Sequence, residues 1–109
     1  MKIVNLNEFR KQPIGTIFCK YEPCWFGNMN ILTSVWDVDF TYQELNHPIP
    51  SDNSNDFLQQ CEKMEQGIEL SADYNNSERD GLYEKEMKYL IYSKQDVQDL
   101  ITYLKNYEI

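Results

Sequence analysis

Between Ser34 and Leu45 the chain reads SVWDVDFTYQEL. Trp36, Val38, Phe40 and Tyr42 alternate with Asp37, Asp39, Thr41 and Gln43. A period of two sends successive side chains to opposite faces, so the segment reads as a strand with one apolar and one wet side. Such a strand needs partners for its backbone and a cover for its apolar face. Asp37 and Asp39 fall on the wet side, with Cα atoms roughly 6.5 to 7 Å apart if the strand is regular.

The rest of the chain supplies those partners. Leu6 to Gln12 fits a short helix, capped by Asn5 or Asn7 and stopped before Pro13. Gly15 to Tyr21 is rich in β-branched and aromatic residues and reads as a first strand. Met29 to Tyr42 is then one long bent strand or two short ones. From Asp56, Phe57, Cys61 and Met64 recur at helical spacing, with Asn53 or Ser54 as cap and Gly67 closing the helix. Ile68 to Tyr74 is an edge strand or an extended loop. Lys88 to Tyr92 is a strand, and Ser93 with Asp96 forms a capping box for a last helix. That helix places Val97, Leu100, Ile101 and Leu104 on one face, expected to pack against the sheet. The expectation is a single α+β domain over residues 1–109: a small antiparallel sheet of three to five strands, two main helices and a short N-terminal helix.

Charge narrows the function. The net charge is -8, from 10 basic and 18 acidic residues. Asp37 to Glu86 holds 13 acids against Lys63, Arg79 and Lys85, and no lysine or arginine lies between Lys20 and Lys63. A field of this sign repels phosphate backbones and attracts cationic surfaces, so direct nucleic-acid binding is not expected. No run of 18 apolar residues predicts a membrane span. The opening MKIVNLNEFRK lacks the apolar region of an export signal, so a cytoplasmic location with reduced thiols is expected.

The residues with reactive chemistry are few. Cys19, Cys24 and Cys61 with the single His47 are the candidate zinc ligands, and Cys19 and Cys24 lack the tight spacing of a zinc knuckle. Cys61 fits the apolar stripe of its helix. A thiol nucleophile at Cys24 would need His47 as base, and the spacing gives no reason for them to meet. No cofactor-binding or catalytic motif is present. Neither a bound metal nor a cofactor is expected. Trp25 and Phe26 are expected to close over the end of the sheet; exposed, they would form an anchor for a protein partner.

The run LNEFRKQPIGTIFCKYEPCWFG, with ERDGLYEKEMKYLIYSKQDVQDLITYL, resembles a family of small, mostly uncharacterised proteins encoded by phages and mobile elements. The likeness lies in the run from Phe9 to Phe18, in Tyr21 to Cys24, and in Glu78 to Gly81. It implies a setting in which small acidic proteins bind and block host or defence proteins. Together these readings predict a non-enzymatic inhibitor whose acidic surface docks on a basic, nucleic-acid-handling protein. Asp37, Asp39, Glu44, Asp73, Asp80, Glu84 and Glu86, with Trp25 and Phe26, are the candidate contacts. A small enzyme or metal-dependent factor using Cys24 and His47, or an accessory subunit, are the alternatives, and a dimer is compatible with the sequence.

Overall fold

The computed structural model describes residues 1–108. Its elements are β1 (Lys2–Asn5), α1 (Leu6–Phe9), β2 (Ile17–Glu22), β3 (Trp25–Phe26), β4 (Asn30–Trp36), β5 (Asp39–Glu44), α2 (Ser54–Glu65), β6 (Glu78–Arg79), β7 (Lys88–Ile91) and α3 (Lys94–Lys105). The strands form one antiparallel sheet in the order β1-β7-β2-β4-β5-β6, with β3 folded back on β2. The α+β class stands, but the sheet has seven strands among the described residues, not the three to five expected. The additional strands are β1, β3 and β6, of two to four residues each. Such segments are too short to show a period in the sequence. Ile68 to Tyr74 is loop.

The alternating segment is not one strand. It is the end of β4, a two-residue turn and the start of β5, with Trp36 paired to Asp39. Asp37 takes a left-handed conformation, φ 48°, which a short polar side chain tolerates better than most. Arg10 of the α1 C-cap donates to the Asp37 carbonyl and fixes the turn. A bulge between Leu32 and Ser34 then resets the register, bringing Val35 opposite Phe40 and towards the core.

The core is aromatic. Phe9, Phe18, Leu32, Phe40, Met87, Tyr89 and Ile91 form it. Asn5 caps α1 by accepting from the Glu8 amide, and this single turn drives Phe9 into the sheet. The Phe9 ring stacks on Tyr89, with centroids 4.1 Å apart and planes 6° apart. It meets Phe18 at 4.6 Å and Phe40 at 5.1 Å. Such pairs add to the stabilisation from burial alone.

The two long helices begin as the sequence requires. Asn53 caps α2 and the Ser93–Asp96 capping box starts α3. Their apolar stripes, however, are not buried. Phe57 and Leu58 of α2 are exposed. On α3, Ile101 and Leu104 are exposed and Val97 and Leu100 only half-buried, correcting the expectation that this face packs against the sheet. The periodicity specifies a helix with an apolar side and says nothing about what covers that side. The cluster on the sheet is covered instead by Phe9 of the four-residue α1. Accordingly, Phe9→Ala should lose about 3–5 kcal/mol, while Leu104→Ala should stay within about 0.5 kcal/mol of the parent. Urea unfolding of the two variants checks both, and comparable losses would place α3 in the core.

Candidate functional site

The acidic residues separate into distinct environments. Asp39 is 2 % exposed. Its carboxylate pairs with Arg79 and accepts from the amides of Phe40 at 2.8 Å and Gly81 at 3.0 Å. The Arg79 hydrogen bond holds the Asp39 carboxyl below the usual carboxylate range; burial opposes this, and the two amides and the arginine's charge reinforce it. Asp37 sits at the exposed turn. The two aspartates therefore share no wet face, because the turn between them breaks the alternation. Arg79 also donates to the Tyr83 hydroxyl, with its guanidinium carbon 5.8 Å from that ring's centre.

A second network lies on the core side of the sheet, beyond the aromatic cluster. Lys20 follows Phe18 by two residues in β2 and so shares its face. Its Nζ lies 2.7 Å from Asp80 and 2.8 Å from Glu84. Burial works against the Lys20 charge, but the hydrogen bonds and charges of those carboxylates outweigh it and raise its pKa. Asp80 reaches this position because its amide donates to the Phe40 carbonyl at 2.9 Å, tying β6 to β5.

Lys20 also lines a cavity of about 350 Å³ at this end of the sheet, bordered by Phe18, Trp25, Phe26, Asn30, Tyr42, Glu44 and Glu78 among others. Trp25 and Phe26 are 49 % and 56 % exposed. They border the cavity and do not form the minor core expected of them: Trp25, paired with Glu22, lies on the Lys20 face, and the Phe26 ring lies on the opposite face with Tyr21. The cause is the tight β2–β3 hairpin: Glu22 pairs with Trp25, leaving Pro23 and a left-handed Cys24, φ 65°, as the turn. Phe26 packs on Tyr21 at 5.2 Å. Gly27 leaves room for the Trp25 ring, which a side chain there would meet at 3.2 Å. Across the cavity, Glu44 accepts from Asn28 at 2.6 Å and lies 3.6 Å from His47. The Tyr42 hydroxyl donates to Glu78 at 3.4 Å. Burial, and after it the Glu78 and Asp80 charges, push the Tyr42 pKa up and keep the phenol protonated.

Of the residues singled out in the sequence, Trp25, Phe26 and Glu44 thus meet at one cavity, and Asp80 and Glu84 join them through Lys20. Asp37 and Glu86 lie elsewhere on the surface. Asp73 belongs to a loop held to β5, where Gln43 donates to its carbonyl at 3.1 Å. Lys20, Asn30, Tyr42 and Glu78 were missed. The available signal was the two-residue step from Phe18 to Lys20, which puts a lysine on a core-facing row.

Cys24 is exposed in its turn, Cys19 is buried in β2 and Cys61 is half-buried on α2. Among the described residues, no three histidine, cysteine or acidic side chains are grouped as metal ligands. No helix among them is long and apolar enough to cross a membrane. No family model, curated protein or solved structure matches the chain.

The Asp39 pair gives a pH prediction. A carboxyl held below its ordinary value of 3.8 contributes stability above that value and loses it as pH falls towards the folded-state pKa. Asp39→Asn should melt below the parent at neutral pH, and the gap should close in acid below about pH 4. Thermal unfolding across this range checks it; a gap independent of pH would show that the charge at Asp39 is not what stabilises the network.

Proposed function

We propose that the chain is a non-enzymatic binding domain that docks its acidic surface on the basic surface of a nucleic-acid-handling protein, in the manner of the phage-type inhibitors it resembles. The supporting observation is the half-exposed Trp25–Phe26 hairpin next to Glu44 and Glu78 at the cavity, with Asp80 and Glu84 held behind it by Lys20. Exposed aromatic rings beside carboxylates suit a partner rich in arginine and lysine: the rings exclude water, and the acids steer the encounter and accept charge-assisted hydrogen bonds. A partner surface so occupied is closed to phosphate backbones. In this reading the protein works in the cytoplasm of a host cell, and catalysis plays no part.

The test is capture from nuclease-treated host lysate at low and raised salt, with the parent, Trp25→Ala and the double variant Glu44→Gln, Glu78→Gln. The parent should retain a basic protein that raised salt releases and added nucleic acid displaces. Trp25→Ala should weaken that binding by about 2 kcal/mol or more with little change in melting temperature. Retention that is indifferent to salt and to the neutralised carboxylates would contradict the proposal.

A further inference from the structure

A larger cavity, of about 670 Å³, lies at the end of the sheet where β2 begins and β7 gives way to α3. Ile91, 4 % exposed, lies at its base. Lys2 pairs directly with Ile91 across the β1–β7 ladder and so shares its face. On α3, Lys94, Val97 and Gln98 line the cavity, and steps of three and four put them on one side of that helix. The Pro13–Thr16 turn forms another wall. The Thr16 amide and hydroxyl both donate to the Pro13 carbonyl, at 3.1 and 2.7 Å, and Gly15, with φ 98°, donates to the Leu32 carbonyl at 2.8 Å. A turn so fixed holds Ile14 at the cavity, 60 % exposed.

The charge here is opposite to that of the whole chain. The sequence has 18 acidic residues, yet no aspartate or glutamate lines this cavity, whereas Lys2 and Lys94 do. Neither lysine enters an ion pair among the described residues. Asp96, two residues beyond Lys94, is already engaged: its Oδ2 accepts from the Ser93 amide at 2.9 Å and lies 2.8 Å from the Met1 amine. Two cations therefore border walls made largely of Ile14, Ile17, Ile91 and Val97. A small inorganic anion gains nothing from such walls, and a neutral hydrocarbon gains nothing from the lysines. A cationic ligand is repelled.

We infer that this cavity binds a single-chain aliphatic anion of the free fatty-acid type, with its hydrocarbon along Ile14, Ile17, Ile91 and Val97 and its carboxylate at Lys2 and Lys94. Both lysines are exposed, so the carboxylate stays at the water boundary and avoids the cost of burying a charge. The alkyl chain gains free energy with each methylene that leaves water. The volume of about 670 Å³ lies within the range of roughly 300–1,000 Å³ common for ligand cavities. No residue lines both this cavity and the one bordered by Trp25 and Phe26, so the site stands apart from the docking surface.

The experiment titrates the full chain with hexanoate, octanoate and decanoate below their micellar concentrations, and with decanol and decylammonium. The NMR methyl signals of Ile14, Ile17, Ile91 and Val97 report binding. Decanoate should shift them saturably, and affinity should rise by about threefold for each methylene added from hexanoate to decanoate. Decanol should bind about tenfold more weakly than decanoate, as expected without a charge-assisted hydrogen bond. Decylammonium should bind more weakly still, although the net charge of the chain favours it. The double variant Lys2→Gln, Lys94→Gln should lower decanoate affinity by about tenfold, leave decanol binding unchanged and hardly move the melting temperature. Ile14→Asp, at an exposed position, should weaken decanoate and decanol alike, and serves if the double variant fails to fold. Decanol or decylammonium binding as tightly as decanoate, affinity independent of chain length, or decanoate affinity unchanged in these variants overturns the assignment. Phosphatidylglycerol vesicles separate the two sources of such a ligand: if they leave decanoate bound, the free amphiphile stands, and if they retain the chain and release decanoate, the site belongs to a membrane lipid and the assignment falls.

Discussion

The fold depends on one ring. Phe9, delivered by a four-residue helix, lies flat on Tyr89 and edges against Phe18 and Phe40. These partners come from β7, β2 and β5, so a single side chain ties three strands that are far apart in sequence. β1 and α1 are consecutive, and β1 pairs with β7 residue for residue from Lys2 to Asn5. The N-terminal segment therefore aims Phe9 as well as closing one edge of the sheet. With this cover supplied from so short an element, neither long helix is needed over the aromatic cluster, and the β2–β5 end of the same face stays open.

What occupies that open end follows from the scarcity of bases. Lys20 takes Asp80 and Glu84, which would otherwise repel one another, and Arg79 takes the buried Asp39. Arg79 and Asp80 are adjacent in the ERDG run, so the end of the two-residue strand β6 and the residue after it each supply one network. Both networks pin the segment from Glu78 to Glu84 to the sheet although it has little regular structure. Glu44 and Glu78 keep no such cation. It is these carboxylates, next to Trp25 and Phe26, that support the reading of the chain as an acidic docking domain.

Much of the secondary structure was legible in the sequence because its causes are local. The cap at Asn5, the cap at Asn53 and the Ser93–Asp96 box each need only a few neighbouring residues, and all three form. The strand at Lys88 was legible from its β-branched and aromatic content. The Asp37–Val38 turn was hidden, because a two-residue turn with no glycine leaves an alternating pattern intact. Nothing in the sequence shows that Trp25 and Phe26 stay exposed, because that follows from the Pro23–Cys24 turn, which folds β3 back on β2. The partners of Asp39, Asp80 and Glu84 could not be read, since each lies at least 40 residues away or is set by strand order. Asn30 gave no signal, because the burial of a polar side chain is a property of the packed neighbourhood and not of the residue type.

An aromatic plug on the sheet, and not a packed helical layer, holds this protein together. Native-state hydrogen exchange tests it most directly, because protection follows the free energy of the opening that exposes each amide. Amides of β2, β4, β5 and β7 around Phe18, Leu32, Phe40 and Tyr89 should exchange only through global unfolding. Those of α2 and α3 should exchange much faster, by local opening. Protection of α3 equal to that of β2 and β7 would contradict the account and place that helix within the cooperative core.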